Sequence, residues 1–287
     1  MNSVPVAFVD SLVAHLSKCA LRDLFLTSGN FASRAAHHYR QRRYLDVYLK
    51  LEGSDVGVEV KYGHDEVPFQ LDPLFDRIVR IESTDSRNVA SKTVPMDRFE
   101  NSVLPALRSV MDRCRLLLYG DFTQQRLYDA IFEHFKEASC FRELLTANFG
   151  EKCQEFIVHQ VKSNSLQELR LSPMGERPWP AHFQAVIKEF VKSASFKKLY
   201  IRGTRLNLDL DMVTSVFDRF FEGSQCEGMG LYGELSFPLT AFNNLYQQFA
   251  PYPWPKNYIY GLWLSENRRK LEVTRGIGNE VNIYTVP

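Results

Sequence analysis

The chain has 287 residues, of which 45% are hydrophobic, and its 35 Lys and Arg residues nearly balance 34 Asp and Glu residues. This length and apolar content allow one large or two modest domains with a real core, and they argue against a disordered chain. The net charge of +1 argues against a globally basic nucleic-acid binder.

Residues 1–43 are predicted to form three short helices. Pro5 stands where a first-turn proline is tolerated, because that N–H needs no partner within the helix. The apolar residues that follow have the spacing of one helical face: Phe8, Val9, Leu12, Val13 and Leu16. Ser17 starts a second helix with Leu21, Leu24 and Phe25. The run Ser28-Gly29-Asn30 separates it from a third helix with Phe31, Ala35 and Tyr39.

Basic residues are concentrated in this first segment, where six Lys and Arg stand against two Asp. The run Arg40-Gln41-Arg42-Arg43 is predicted to be a solvated helix end, because cations are favoured near a helix C-terminus. The alternative, a nucleic-acid-binding patch, predicts salt-sensitive binding to any phosphate polymer. It is disfavoured by the balanced charge of the whole chain.

Residues 44–110 are predicted to form a β-rich connecting block. Apolar residues alternate with other residues over 44–53 and 56–63, which is typical of strands, and Gly53-Ser54-Asp55 between them predicts a hairpin turn. Residues 76–83 are a third candidate strand. A helix is predicted over residues 99–113 and closes the block.

Residues 111–287 are predicted to repeat a strand-plus-helix unit. Leu169, Leu199 and Met229 lie 30 residues apart, and Leu144 and Leu262 extend the series with spacings of 25 and 33. Such a period is the signature of an α/β solenoid of the leucine-rich-repeat type. A doubly wound sheet is the alternative, but it usually carries a Gly-rich phosphate turn, and none occurs. The fold class is therefore predicted to be α/β (α+β).

Side chains between the buried strand positions would project from the concave face of such a solenoid. Arg, Tyr and Trp tend to dominate protein-binding energetics. The candidate target-binding residues are therefore Arg170, Tyr200, Arg202, Tyr232 and Trp263. An ordinary solvated sheet surface is the alternative interpretation.

Pro-Trp-Pro occurs twice, at residues 178–180 and 253–255. Because proline favours an extended residue before it, each Trp is held at low entropic cost. The two Trp residues are predicted to seal loops against the core, with exposed anchors on one rim as the alternative.

The N-terminal spacing resembles the F-box, the three-helix module by which substrate receptors dock onto the Skp adaptor of cullin–RING ubiquitin ligases. Val4-Pro5 stand where the family has Leu-Pro, Leu12-Val13 match its Ile-Phe pair, and Phe31 stands where a Trp is usual. The match runs without a gap over residues 4–31. The layout of the whole chain is also similar to nematode F-box-like proteins with an F-box-associated, leucine-rich-repeat-like C-terminal region.

This resemblance implies a function in ubiquitin-dependent protein degradation. Residues 1–43 would bind a Skp-family adaptor, and through it a cullin–RING enzyme, while residues 111–287 would bind a target protein. The implied adaptor-binding residues are Val4, Pro5, Phe8, Val9, Leu12, Val13, Leu16, Leu21, Leu24 and Phe31. The alternative from another class is a leucine-rich-repeat-like scaffold whose N-terminal helices only cap the solenoid.

Neither a catalytic motif nor a metal-binding spacing occurs in the sequence. His37 and His38 are adjacent, and successive residues on a helix point too far apart to chelate one metal ion together. The chain is therefore predicted to be non-catalytic and to need no cofactor. Five scattered cysteines, no signal-peptide pattern and no membrane-length apolar run predict an intracellular protein, cytoplasmic or nuclear, without a membrane partner.

Overall fold

The computed structural model describes residues 5–27, 29–83, 92–119, 122–173, 177–223, 228–244, 259–264, 270–275 and 280–286. The chain divides into two compact units, Met1–Cys114 and Arg115–Pro287. Residues 1–43 and 44–110, which the sequence pattern separates, thus belong to one unit.

The first unit begins with the three predicted helices, which are confirmed as α1 (Val6–Ala14), α2 (Lys18–Phe25) and α3 (Asn30–Gln41). Ser17 caps α2, since its hydroxyl oxygen accepts a hydrogen bond from the Ala20 N–H at 3.2 Å. Gly29 precedes α3 with φ of 105°, a conformation that L side chains rarely adopt. We call α1–α3 the helical module.

A mixed sheet follows the helical module in the first unit, and the three predicted strands are confirmed. β1 (Arg43–Glu52) pairs antiparallel with β2 (Asp55–Tyr62) across the two-residue turn Gly53-Ser54. The short strands β3 (Asp65–Val67) and β5 (Lys92–Pro95) both pair with β2, and β4 (Asp76–Ser83) runs parallel to β1.

The helix predicted over residues 99–113 begins and ends earlier. It is built from α4 (Met96–Arg98), a π-helical turn (Phe99–Val103) and α5 (Leu104–Ser109). The prediction is wrong for residues 111–113, which begin strand β6 (Met111–Leu118). Just after α5 ends, the Val110 carbonyl accepts a hydrogen bond from the Ile78 N–H of β4 at 2.9 Å.

The second unit alternates strands and helices as predicted. Its strands β7 (Phe141–Thr146), β8 (Glu168–Leu171), β9 (Lys198–Tyr200) and β11 (Gly230–Leu235) are parallel neighbours in that order. β10 (Asn207–Leu208) pairs with β11. The helices are α6 (Gln125–Phe135), α7 (Glu151–Lys162), α8 (Phe183–Lys192) and α9 (Leu210–Phe221). The α/β class is thereby confirmed.

The buried leucines of these strands lie side by side. Leu144, Leu169 and Leu199 are cross-strand partners, as their predicted positions require. The next partner is Leu231. It is not Met229, which precedes β11, so the predicted 30-residue spacing is wrong by two residues at this strand. A shift of two residues keeps the same face buried, because side chains alternate along a strand.

The C-terminal strands do not continue the parallel series. β12 (Ile259–Leu264), β13 (Lys270–Arg275) and β14 (Glu280–Val286) form antiparallel pairs, and β14 lies between β11 and β13. The sequence pattern did not predict β14.

The first Pro-Trp-Pro motif seals a loop, as predicted. The Trp179 ring is 5% exposed and lies 4.8 Å from the ring of Phe183. Its indole N–H donates to the Ser172 carbonyl at 3.3 Å. The second motif, residues 253–255, lies outside the described residues.

Candidate functional site

The helical module has a core of its own. Val9, Val13, Leu21 and Ala35 are buried together. The partly buried residues packed against this cluster are Leu16, Leu24, Phe31 and Tyr39. Their burial shows that Val9, Val13 and Leu21 hold the three helices together, so they do not offer a contact surface to an adaptor as the resemblance implied.

A second group of apolar side chains on the helical module faces outward. Phe8 is 59% exposed and Leu12 is 47% exposed, and residues four apart share one face of α1. The other exposed apolar residues are Val6 on α1 and Phe25 and Leu26 at the end of α2. We call these five residues the module surface. Pro5 is also exposed, and Val4 lies outside the described residues.

An ionic cluster joins α1 to α3 on another side of the module. Arg34 donates two hydrogen bonds to Asp10, one of them at 2.7 Å, and His38 Nε2 lies 3.1 Å from the same carboxylate. The Arg34 hydrogen bond lowers the pKa of Asp10. Burial lowers the pKa of His38, and Asp10 partly opposes that shift.

Two buried arginines bind the C-terminal end of α1. Arg42 is 1% exposed and donates to the carbonyls of Val13 at 3.2 Å, Ala14 at 2.9 Å and Leu16. Arg77, on β4, also donates to the Ala14 carbonyl. The last carbonyls of a helix have no partner within it, and the helix dipole favours cations there. These two side chains therefore attach the helical module to the sheet of its own unit.

This arrangement corrects the prediction of a solvated basic run. Arg42 is buried, and Arg43 forms two hydrogen bonds with Asp76 on β4, at 2.7 and 2.8 Å. Arg40 alone of the run's three arginines is exposed. The local sequence has no signal for these roles, because the carbonyls and the carboxylate that the arginines bind lie about 30 residues away along the chain.

The second unit carries its half-exposed polar side chains on one face of the sheet. Along β8, β9 and β11 the residues Arg170, Tyr200 and Tyr232 are cross-strand partners. The Tyr200 and Tyr232 rings stack with centroids 4.1 Å apart and planes 5° from parallel. The Arg170 guanidinium carbon lies 4.4 Å from the Tyr200 centroid. We call these three stacked side chains the aromatic ladder.

Carboxylates surround the arginine end of the aromatic ladder. Arg170 lies 3.4 Å from Glu143 and 3.2 Å from Glu168. Glu143 also accepts a hydrogen bond from Arg115 at 2.6 Å, and Lys198 lies 3.3 Å from Glu168. Three cations, Arg170, Arg115 and Lys198, thus lie against two carboxylates at this end.

The Tyr232 ring, at the tyrosine end of the aromatic ladder, packs against Gly230. A side chain at this position would place its Cβ 2.7 Å from Cε2 of the Tyr232 ring, so the ring lies directly over the glycine. Burial is the main cause that raises the pKa of Tyr232. Burial and the Glu272 carboxylate raise the pKa of Tyr284, on the neighbouring β14, to about 12. Both hydroxyls are therefore neutral at physiological pH.

Four of the five predicted target-binding residues are brought together and one is not. Arg202 is exposed, donates to Asn282, the cross-strand partner of Tyr232, and lies 3.9 Å from Glu280. The prediction for Trp263 is wrong: it is 0% exposed, with its ring 4.9 Å from the Phe217 ring. Trp263 pairs with buried Leu271, so it is Trp263 that faces the core, while Leu262 and Leu264 are half-exposed.

Comparisons with known proteins add little. No family model and no curated protein matches the chain. Among solved structures, the chain is similar to the MycE methyltransferase from the mycinamycin biosynthetic pathway, in complex with Mg, SAH and mycinamycin VI. That likeness has 11% identity, 98% coverage of this chain, 94% coverage of that chain and a TM-score of 0.18. At this level it carries no argument about fold or activity.

No helix among the described residues combines the length and the apolar character that crossing a membrane requires.

Proposed function

We propose that this chain is the substrate-recognition subunit of a Skp–cullin–F-box ubiquitin ligase. The helical module binds the Skp-family adaptor, and the second unit binds the protein to be ubiquitinated. The observation that carries the proposal is the module surface, where Phe8 and Leu12 stay exposed although the module has a complete core of its own. Exposed apolar side chains that share one helix face, as Phe8 and Leu12 do, can form part of a protein-interaction site.

The energetics of the module surface suit a specific contact. Burying one large apolar side chain contributes roughly 1.5–3 kcal/mol. The five side chains of the module surface are 39–75% exposed, so each would contribute about half of that amount and would offset part of the cost of association. Arg42 and Arg77 keep α1 attached while its exposed face engages a partner.

The finer architecture of the second unit belongs to the same proposal. We infer that its strand-plus-helix units form a short leucine-rich-repeat-like solenoid, supported by the parallel series β7, β8, β9 and β11 and by their aligned leucines. The open face with the aromatic ladder would then hold the target protein. The chain itself performs no chemistry in this scheme, since binding raises the effective concentration of target lysines near the ligase enzymes.

The alternative is a non-catalytic interaction scaffold whose N-terminal helices serve only as a cap. The burial of Val9, Val13 and Leu21 within the module is compatible with that role. A cap has no need for the exposed Phe8 and Leu12, and these two residues distinguish the two proposals.

The test is co-purification of the full chain with a Skp-family adaptor. The variant is the double substitution Phe8→Glu and Leu12→Glu, chosen because both side chains are exposed and their replacement leaves the module core intact. The matched control is Leu210→Glu, an exposed leucine on α9 of the second unit. Circular dichroism checks that all three proteins are folded.

We expect the wild type and Leu210→Glu to retain the adaptor and the double variant to lose it. Failure of the folded wild type to bind any Skp-family adaptor would refute the receptor function. Equal adaptor binding by the double variant would refute the role of the module surface.

A further inference from the structure

The outer edge of the sheet in the first unit is interrupted. β5 pairs with β2 over residues 55–58, and β3 pairs with β2 over residues 60–62. Because β1 pairs with the other side of β2 along its whole length, β3 and β5 lie on the same side. Both run antiparallel to β2, so together they form one edge strand with a break opposite Glu59.

A cavity of about 730 Å³ lies at this break. Val58 and Val60 line it from the same face of β2, and their cross-strand partners, Lys92 and Val67, line it too. Phe69, which follows β3, is 37% exposed and also belongs to the lining, so the cavity opens to solvent. Its volume lies within the range of about 300–1,000 Å³ that is typical of small-molecule sites.

The helical segment that follows β5 forms the opposite wall. Arg98, the last residue of α4, and Val103, the last residue of the π-helical turn, both line the cavity. Single π-helical turns are rare within helices and occur frequently at functional sites. The irregular turn therefore lies where a functional role would explain it.

Two cations line the cavity without a counter-charge. Lys92 and Arg98 are exposed, and neither side chain forms an ion pair among the residues that the structure describes. The acidic residue of the described lining is Glu66. It is the cross-strand partner of Lys61, and alternation along β3 directs its side chain to the face opposite that of Val67. The face that carries the cavity thus combines an apolar floor with positive charge.

We propose that this cavity binds a small carboxylate with an aliphatic chain, of the kind found in a medium-chain fatty acid. The chain contacts the valines and Phe69, and its burial supplies the hydrophobic part of the binding free energy. Arg98 and Lys92 bind the carboxylate, since a guanidinium can donate two parallel hydrogen bonds to its oxygens. The site lies within the first unit and does not depend on the proposed receptor function.

The test titrates the full chain with decanoate, below its micelle concentration, in an isothermal calorimeter. Three matched probes separate the parts of the ligand. Decanol keeps the chain without the charge, decylammonium reverses the charge, and acetate keeps the carboxylate without the chain.

Two variants locate the site. Arg98→Gln removes an exposed cation, and Val94→Phe fills the cavity from a half-exposed position of its lining. The matched control is Arg40→Gln, which removes an exposed arginine from α3 of the same unit. Circular dichroism checks that all the proteins are folded.

We expect decanoate to bind with one-to-one stoichiometry and about tenfold or more tighter than each of the three probes. Arg98→Gln should weaken decanoate binding about five- to tenfold, and Val94→Phe should weaken it as well, while Arg40→Gln leaves it unchanged.

Absence of saturable decanoate binding by the folded wild type would overturn the proposal. Equal binding of decylammonium would also overturn it, because it would show general attraction of an apolar chain. If both folded variants bind decanoate as the wild type does, the ligand binds elsewhere and the assignment is wrong. The comparison of head groups uses the wild type alone, so it decides the question even if a variant fails to fold.

Discussion

Replacing Arg42 by alanine should loosen the helical module from its own unit. In the wild type the buried guanidinium donates to three carbonyls at the end of α1. After the substitution the Val13 carbonyl still accepts a hydrogen bond from the Leu16 N–H at 3.2 Å, and the Ala14 carbonyl still accepts one from Arg77. The Leu16 carbonyl loses the one donor described for it, and the space of the side chain is left empty.

The magnitude follows from these losses. A buried acceptor left without a donor costs about 1–3 kcal/mol, and each lost hydrogen bond from a charged group costs about 1.5–3 kcal/mol. Removing a buried cation also relieves its desolvation cost, which offsets part of the loss. We expect a net destabilisation of about 3 kcal/mol. This corresponds to a roughly hundredfold larger equilibrium constant for local opening of the helical module.

Amide hydrogen exchange over residues 6–41 measures this effect directly. It is preferred to a global unfolding curve, because a chain with two compact units need not unfold in one transition. The matched control is Arg40→Ala, an exposed arginine two residues away, which should change the local stability by less than about 0.5 kcal/mol. The loss of protection in Arg42→Lys should lie between those of Arg42→Ala and Arg40→Ala. A single ammonium group cannot donate to several carbonyls with the fixed geometry of a planar guanidinium. Equal protection in Arg42→Ala and Arg40→Ala would refute the anchoring role.

Three further predictions concern other buried groups. Burial lowers the pKa of His38 below its ordinary 6.5. As the pH falls, His38 is therefore protonated in the unfolded chain before it is protonated in the folded one. The stability that neutral His38 contributes above about pH 6.5 is therefore lost at lower pH, and His38→Gln should flatten the pH dependence of exchange in α1 and α3. Gly230→Val should push the Tyr232 ring away from the Tyr200 ring and destabilise the second unit by about 1–3 kcal/mol in guanidinium unfolding. An unchanged unfolding midpoint would contradict the close contact between Gly230 and the Tyr232 ring. Trp263→Ala should cost about 3–5 kcal/mol in the same assay, whereas a solvent-facing Trp would cost less than about 0.5 kcal/mol.

Local periodicity was sufficient to predict most individual elements. The spacing of Phe8, Leu12 and Leu16 predicts α1, and the alternation over residues 44–63 predicts β1, β2 and their turn. Such patterns are informative because an element that buries one face repeats its apolar residues at its own geometric period.

Periodicity was less informative about which apolar side chains of a helix are buried. The five apolar positions Phe8, Val9, Leu12, Val13 and Leu16 share one broad stripe in the sequence. In the structure Val9 and Val13, on one side of this stripe, lie in the module core, while Phe8 and Leu12, on its other side, are exposed. The candidate adaptor site could therefore be predicted as a region, whereas its contacting residues required the packing of α2 and α3.

The sequence by itself determined the α/β class, the three N-terminal helices and the polar residues of the open sheet face. Only the tertiary structure decided that β14 lies between β11 and β13, that Trp263 faces the core and that Arg42 is buried at the end of α1. The physical reason is that strand order and buried polar partners depend on backbone groups distant in the sequence. Local side-chain patterns record which face of an element is apolar, but they do not record which distant carbonyl or strand will lie against it.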